Sequence, residues 1–437
     1  MVLHSSQRAP SRQRHHIGLA ALTLGLAVTA FTAHAAGSLT LDEALRLAQE
    51  RSRQLSAQDA AANASRQMAV AAGQRPDPTL KVGVNNLPVD GPDRLSLTRD
   101  FMTMRSIGVM QEITRGSKLK ARSERFEREA EVAVAGRALA LANLQRDAAI
   151  AWLDRSYQER MREVLVGQRD EAKLQIDAAD AAYRGGRGSQ GDVFAARSAV
   201  ALIEDRIAQT ERQIASAKTQ LARWVGTPAN DALAEPPALA TIGWRLDDLE
   251  SRLAHHPEIA VMLKREELAQ AEVEVARSSK KSDVSVEVMY SQRGSAYSNM
   301  VSVNVAIPLQ WDPKNRQDRE VAAKLAMLDQ MRAEREEATR AHLAEVMAMW
   351  QEWQSNRDRL ARYDASLIPL ATERTRASVA AYRGASGTLT AVLEARRNEI
   401  DTRVERLRLD MDTARLWAQL NYLLPAGHEA TPSSSPR

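Results

Sequence analysis

Residues 283–309 read DVSVEVMYSQRGSAYSNMVSVNVAIPL. Apolar and polar residues alternate in two arms around a polar turn. Successive strand side chains point to opposite sides. Val284, Val286, Val288 and Tyr290 therefore share one face of the first arm. Val301, Val303, Val305, Ile307 and Leu309 share one face of the second. A second strand pair is expected upstream, in Thr79–Asn85 (Leu80, Val82 and Val84 on one side) and Met104–Ile113 (Ile107, Val109 and Ile113). The alternation is less clean there, because Arg105 and Gln111 fall on the apolar side of the second strand. Most of the remaining chain is rich in Ala, Arg and Glu and reads as long helix.

An alternating strand ordinarily buries its apolar face in the core of its own domain. Four strands among about 400 residues of helix former offer no obvious cover for such a face. One apolar and one polar face on strands of about 9–11 residues is the pattern a membrane barrel requires. A barrel must close, because hydrocarbon cannot satisfy a free strand edge. Four strands are too few, as barrels start at about eight, so several chains must combine, and three copies would supply about twelve. The valines would then face lipid, and Ser285, Glu287, Ser302 and Asn304 would face water.

Composition limits the alternatives. Of 437 residues, 44% are hydrophobic, 4% aromatic and 27% charged. The pI of about 9.3 owes much to Arg8, Arg12 and Arg14 in an acid-free start. Beyond residue 35, 57 basic residues face 56 acidic ones, the 60 of the whole chain less these three. No charge argument for nucleic-acid binding survives. Residues 1–35 read as a cleaved signal peptide, with a basic start, an apolar run from Ile17 to Phe31 and the small-x-small site Ala33-His34-Ala35. The chain has no cysteine, so neither disulfides nor a lipid on cysteine enter the account. No later segment has the roughly 18 apolar residues of a membrane-spanning helix.

The chain also repeats. AAYRGGRGSQGDVFAAR from Ala181 and AAYRGASGTLTAVLEAR from Ala380 agree at nine of seventeen positions without a gap, at an offset of 199 (380 − 181). Leu41-Asp42-Glu43 and Leu246-Asp247-Asp248 give a second anchor at 205 (246 − 41). The expected organisation is a first repeat over 36–225, a linker over 226–245, a second repeat over 246–424 and a disordered tail over 425–437. Each repeat carries a helix of about thirty residues, a strand pair, a very long helix, a Gly-rich tip and a return helix. In the first repeat the long helix runs from about Ser117 to Tyr183, about 100 Å at 1.5 Å per residue. In the second repeat Pro369 is expected to interrupt the corresponding helix.

This order of elements resembles the TolC-type outer-membrane efflux proteins over essentially the whole chain after residue 35. Tyr183-Arg-Gly and Tyr382-Arg-Gly are similar to the family's tip turns, and Leu253-Ala-His-His-Pro-Glu-Ile259 resembles its small-x-x-Pro-x-aliphatic helix start. Phe101–Arg122 resembles the cobalt–zinc–cadmium branch, although Thr114-Arg-Gly-Ser-Lys118 stands where Pro-Gly-Lys-Arg is common. The resemblance implies a mainly α fold with a small β part, a homotrimer with a twelve-stranded barrel in the outer membrane, and a helical tunnel in the periplasm. It also implies docking on an adaptor and an inner-membrane transporter, with passive conduction of substrates such as heavy-metal cations and no enzymatic chemistry. The tips Tyr183, Arg184, Gly185, Gly188, Tyr382, Arg383, Gly384 and Gly387 become candidates for adaptor docking.

Two carboxylates near those tips are candidates for the aperture. Asp192, in the Ser189-x-x-Asp192 pattern of a capping box, has a structural role as its first reading. Glu394 sits one helical turn into the matching helix. Threefold symmetry would make a ring of either. The glycines Gly185, Gly186, Gly188 and Gly191 read as a tight turn, since no Gly-Lys-Ser/Thr phosphate loop is present. His255 and His256 read as a solvated helix start, with His342 and His428 forming no cluster, so no metal site and no cofactor is expected. Met102, Met104 and Met110 read as packing, and the basic run Arg115–Arg128, interleaved with Glu124 and Glu127, as a solvated helix face. The competing readings are a soluble periplasmic adaptor and a structural coiled-coil protein. Neither explains the two strand pairs or the repeat.

Overall fold

The computed structural model describes residues 38–244 and 256–425. The signal-peptide reading, the Leu246 repeat anchor, His255 and all but the first residue of the tail lie outside them. The first half runs α1 (Leu41–Arg51), α2 (Arg53–Ala72), β1 (Thr79–Asn85), β2 (Met104–Ile113), α3 (Gly116–Arg184) and α4 (Gln190–Val225). The second runs α5 (Pro257–Ser279), β3 (Val284–Gln292), β4 (Met300–Ala306), α6 (Gln317–Arg362), a π-helical turn (Tyr363–Leu367), α7 (Ile368–Arg383) and α8 (Leu389–Asn421). The order helix, strand pair, long helix, tip and return helix thus occurs in both halves.

Helix α3 has 69 residues and packs against α2, α4, α5 and α8. Alanines such as Ala140, Ala148 and Ala149 are buried along it and allow close helix approach. The first helix is not continuous as the sequence reading expected. It breaks at Ser52 (φ −69°, ψ 110°), whose hydroxyl accepts the Leu55 amide and starts α2 anew. The interruption near Pro369 takes the form of a π-helical turn immediately before α7, so the helical backbone widens just ahead of the residue that cannot donate.

The segment between the halves is bound to the core. The buried Arg155 donates to the carbonyls of Ala229 and Asp231, each at 2.7 Å. Trp152 Nε1 donates to Leu39 O at 3.0 Å, Trp244 Nε1 to Leu420 O at 2.9 Å and Trp417 Nε1 to Thr241 O at 2.8 Å. Leu39 and Leu233 form an isolated parallel bridge. Trp244, Trp350 and Trp353 complete an aromatic row, with adjacent ring centroids 5.2 and 5.4 Å apart. The basic start of α3 is also less solvated than expected, since Arg128 meets Glu267 of α5 at 3.3 Å and Lys264 meets Glu131 at 2.9 Å.

Candidate functional site

The four strands form one antiparallel sheet in the order β1-β2-β3-β4, so β2 and β3 join the two halves. Directly opposed residues share a face. The register sets Val82 opposite Ile107, Ile107 opposite Tyr290 and Tyr290 opposite Val301. The next row is Leu80, Val109, Val288 and Val303, and a third contains Gln111, Val286 and Val305. Two apolar rows therefore cross all four strands. Val82 is 74% exposed, Val301 68% and Val303 64%. Val288 and Val305 are exposed, whereas Val284 and Val286 are half-buried. Ile307 and Leu309 are exposed too, but β4 ends at Ala306, so these two lie beyond the strand that the alternation suggested.

The opposite face carries Lys81, Ser106, Gly108, Glu287, Ser302 and Asn304. Lys81 of β1 reaches Glu287 of β3 at 3.0 Å, across the strand between them. Gly108, opposite Lys81, leaves that surface bare, and a Cβ there would lie 2.7 Å from Val288 O. Both outer strands, β1 and β4, keep one edge without a partner among the described residues. Among the described residues no helix is long and apolar enough to cross a membrane.

The sheet is anchored to the helices at its base. Lys118, buried in the first turn of α3, donates to Asp283 Oδ2 at 2.6 Å and to Lys281 O at 3.2 Å. The Arg115 amide donates to Asp283 Oδ1 at 3.2 Å. This junction fixes the end of β2 against the start of β3. From the sequence Lys118 belongs to a family pattern and to a basic run expected to be solvated, and its burial corrects the second reading. Its partner lies 165 residues away, and no local periodicity signals it.

The two tips have the same geometry at the repeat offset. Gly185 N donates to Ala181 O, and Arg187 N and Gly188 N both donate to Ala182 O. Gly384 N, Ser386 N and Gly387 N make the corresponding bonds to Ala380 O and Ala381 O. The left-handed position is Gly186 (φ 71°) in one tip and Ala385 (φ 57°) in the other. A Cβ on Gly387 would meet Ala381 Cβ at 3.0 Å, so the chain returns closely there and glycine eases the approach. Ala179, Val193 and Ala196 of the first hairpin pack with Leu389 and Val392 of the second, bringing the tips together. Tyr382 packs against this cluster, whereas Tyr183 and Arg383 are exposed. Arg184 pairs with Asp180 one turn back.

Asp192 takes the structural role. Ser189 Oγ accepts the Asp192 amide at 3.1 Å, while Asp192 Oδ2 accepts Ser189 N at 2.9 Å and Ser189 Oγ at 2.8 Å. These bonds, from the Ser189 backbone first and its hydroxyl second, hold the carboxyl below its ordinary range. Glu394 is exposed one turn into α8. Deeper in the hairpin, Glu399 ties α8 to α7. It accepts Thr372 Oγ1 at 3.0 Å and Arg403 at 2.9 Å. Burial pushes its carboxyl up, but hydrogen bonds from Thr375, Arg403 and Thr372 outweigh this and leave the pKa lowered.

A carboxyl with a lowered folded value stabilises the native state above the unfolded value of 4.5, and that contribution fades as pH falls through the lower folded one. Glu399→Gln is therefore expected to cost about 1–3 kcal/mol near neutrality and to leave a shallower loss of stability on acidification. Thermal melts between neutral and acid pH would check both.

The sequence reading of His256 is corrected. His256 is 7% exposed, and its ring centroid lies 4.0 Å from that of His342. It caps α5 through Nδ1, which accepts the Glu258 amide at 3.3 Å. Helix α5 packs against α6, which the sequence could not show, and this pairs rings 86 positions apart (342 − 256).

No family sequence model matches the chain, and no curated protein matches it. Solved structures do. The outer-membrane channel OprN superposes with a TM-score of 0.73 at 15% identity, over 89% of this chain and 90% of that one. The outer-membrane protein VceC of Vibrio cholerae gives 0.72 at 19% identity, over 88% and 95%. CusC, a transmembrane-channel-forming protein, gives 0.74 at 14% identity, over 89% and 93%. At these identities the likeness is one of fold: a mainly helical chain with a small four-stranded antiparallel sheet.

Proposed function

We propose that this chain is one third of an outer-membrane exit duct. Three copies share a closed barrel of twelve strands, four from each. Their long helical hairpins continue as a tunnel into the periplasm, and substrates cross passively. The carrying observation is the sheet itself, in which register-aligned apolar rows lie exposed while both outer edges lack partners. In water such a sheet is an aggregation site. In lipid it is stable only when neighbouring copies pair those edges. The fold shared with the outer-membrane channels supports the reading.

The matching halves are read as a tandem duplication. The tips around Tyr183–Gly188 and Tyr382–Gly387 are assigned to docking of a periplasmic adaptor that in turn meets an inner-membrane transporter. Glu394 is assigned to the aperture, because Asp192 is occupied as a helix cap. Heavy-metal cations are the cargo class that Phe101–Arg122 points to. Membrane fractionation, a gel with and without boiling, and bilayer conductance test the reading together. A heat-sensitive trimer in the outer-membrane fraction that conducts ions is expected. A soluble monomer without conductance would overturn it.

A further inference from the structure

The histidine pair belongs neither to the sheet nor to the tips, and the proposed duct does not use it. His256 sits at the start of α5 and His342 within α6. Glu258, exposed, stands in the first turn of α5 beside them. One ligand-capable atom from each of the three lies within 4.8 Å of the others. His342 Nδ1 faces the Glu345 carboxylate at 3.7 Å, while its Nε2 is buried without a hydrogen-bond partner. Buried ring nitrogens are rarely left without partners. A carboxylate behind Nδ1 favours the tautomer with the proton on that nitrogen, which leaves the Nε2 lone pair free. Glu345 stands on the Nδ1 side at ion-pair distance, and a small side-chain movement would make the carboxylate–histidine hydrogen bond that orients imidazole toward a metal ion.

We propose that His256, His342 and Glu258 form a binding site for a borderline divalent transition-metal cation such as Zn²⁺ or Co²⁺, with Glu345 orienting His342. The donor set selects the class. Two imidazoles and one carboxylate suit Zn²⁺, Co²⁺, Ni²⁺ or Cu²⁺; Ca²⁺ and Mg²⁺ need mostly oxygen, and soft monovalent ions need sulfur. The two imidazoles are already brought together, with ring centroids 4.0 Å apart and His256 buried. The long 3.3 Å capping bond at His256 Nδ1 is the polar contact a metal would compete with. Glu258 lies at the solvent side, where its exposed side chain can swing inward and close the spacing to the short bonds of a metal site. Three protein ligands leave a position for water. A bound ion would clamp the start of α5 to α6 in each copy.

The site stands on these residues alone and does not depend on the duct reading. The test uses the full chain in detergent, without a polyhistidine tag and stripped with EDTA. It is titrated with CoCl₂ while the visible absorption of the ion is followed, and ZnCl₂ is then added in competition. One Co²⁺ per chain, displaced by Zn²⁺, is expected. His342→Gln and Glu258→Gln should each weaken it by about tenfold or more. Glu258 is exposed, so its variant keeps the test valid if the His342 variant fails to fold. Zn²⁺ should also raise the melting temperature of the unaltered chain and leave that of Glu258→Gln nearly unchanged. Absence of saturable Co²⁺ binding, or equal binding by the unaltered chain and both variants, would overturn the proposal.

Discussion

Val303→Arg is expected to abolish the heat-sensitive trimer, while Ser302→Arg, one residue away, leaves it in place. Val303 lies in the exposed apolar row with Leu80, Val109 and Val288. Ser302 points to the opposite face, opposed to Met289. An arginine facing lipid near the middle of a barrel strand costs roughly 2–4 kcal/mol, or roughly 6–12 kcal/mol over three copies. An arginine on the water-filled side escapes that cost and changes only the charge of the lumen. The pair isolates the effect of the face, because neighbouring residues in one strand share every local property except that one. The measurement is the fraction of outer-membrane protein that migrates as a trimer before boiling. Loss in both variants, or in neither, would mean that the two faces are equivalent and would remove the basis of the barrel.

Much of this face was legible in the sequence because a strand's period of two needs no partner to be seen. Val301, Val303 and Val305 declare a face by themselves. The tips were legible for a related reason. Gly188 and Gly387 serve the same close approach in two copies of one motif, and such a constraint leaves the same residue at the same offset. What escaped was set by partners distant in sequence. Ser52 breaks the first helix with neither proline nor glycine beside it, and only its hydroxyl bond to Leu55 marks the new start. The connection between the halves looks like a loose linker by composition. Its tethers, Arg155 and the Trp244 and Trp417 indoles, bind backbone carbonyls that no motif records. Asp192 illustrates a third case. The capping-box pattern and the aperture reading were both visible, and the observed bonds to Ser189 give it the cap.

Lys118→Met should disrupt the molecule as severely as any single change outside the core. The Lys118 side chain is 8% exposed and that of Asp283 16%. Removing the ammonium leaves a largely buried carboxylate with the Arg115 amide and the more distant charge of Arg122, and breaking such a pair costs about 3–5 kcal/mol. The damage is placed where it matters. This pair joins the point at which β2 becomes α3 to the point at which β3 begins, so it sets how the sheet stands on the helices. Asp283→Leu alone should be comparably harmful, because the ammonium is then the uncompensated charge. The double variant Lys118→Met with Asp283→Leu should recover most of the loss, since a buried ion pair replaced by apolar side chains of similar volume is often neutral or better. A double-mutant cycle on trimer melting temperature measures this coupling. Additive losses would mean that the two groups act independently and that the junction is held by Arg115 and by the Ser282 hydroxyl bond to Pro308 O at 2.6 Å.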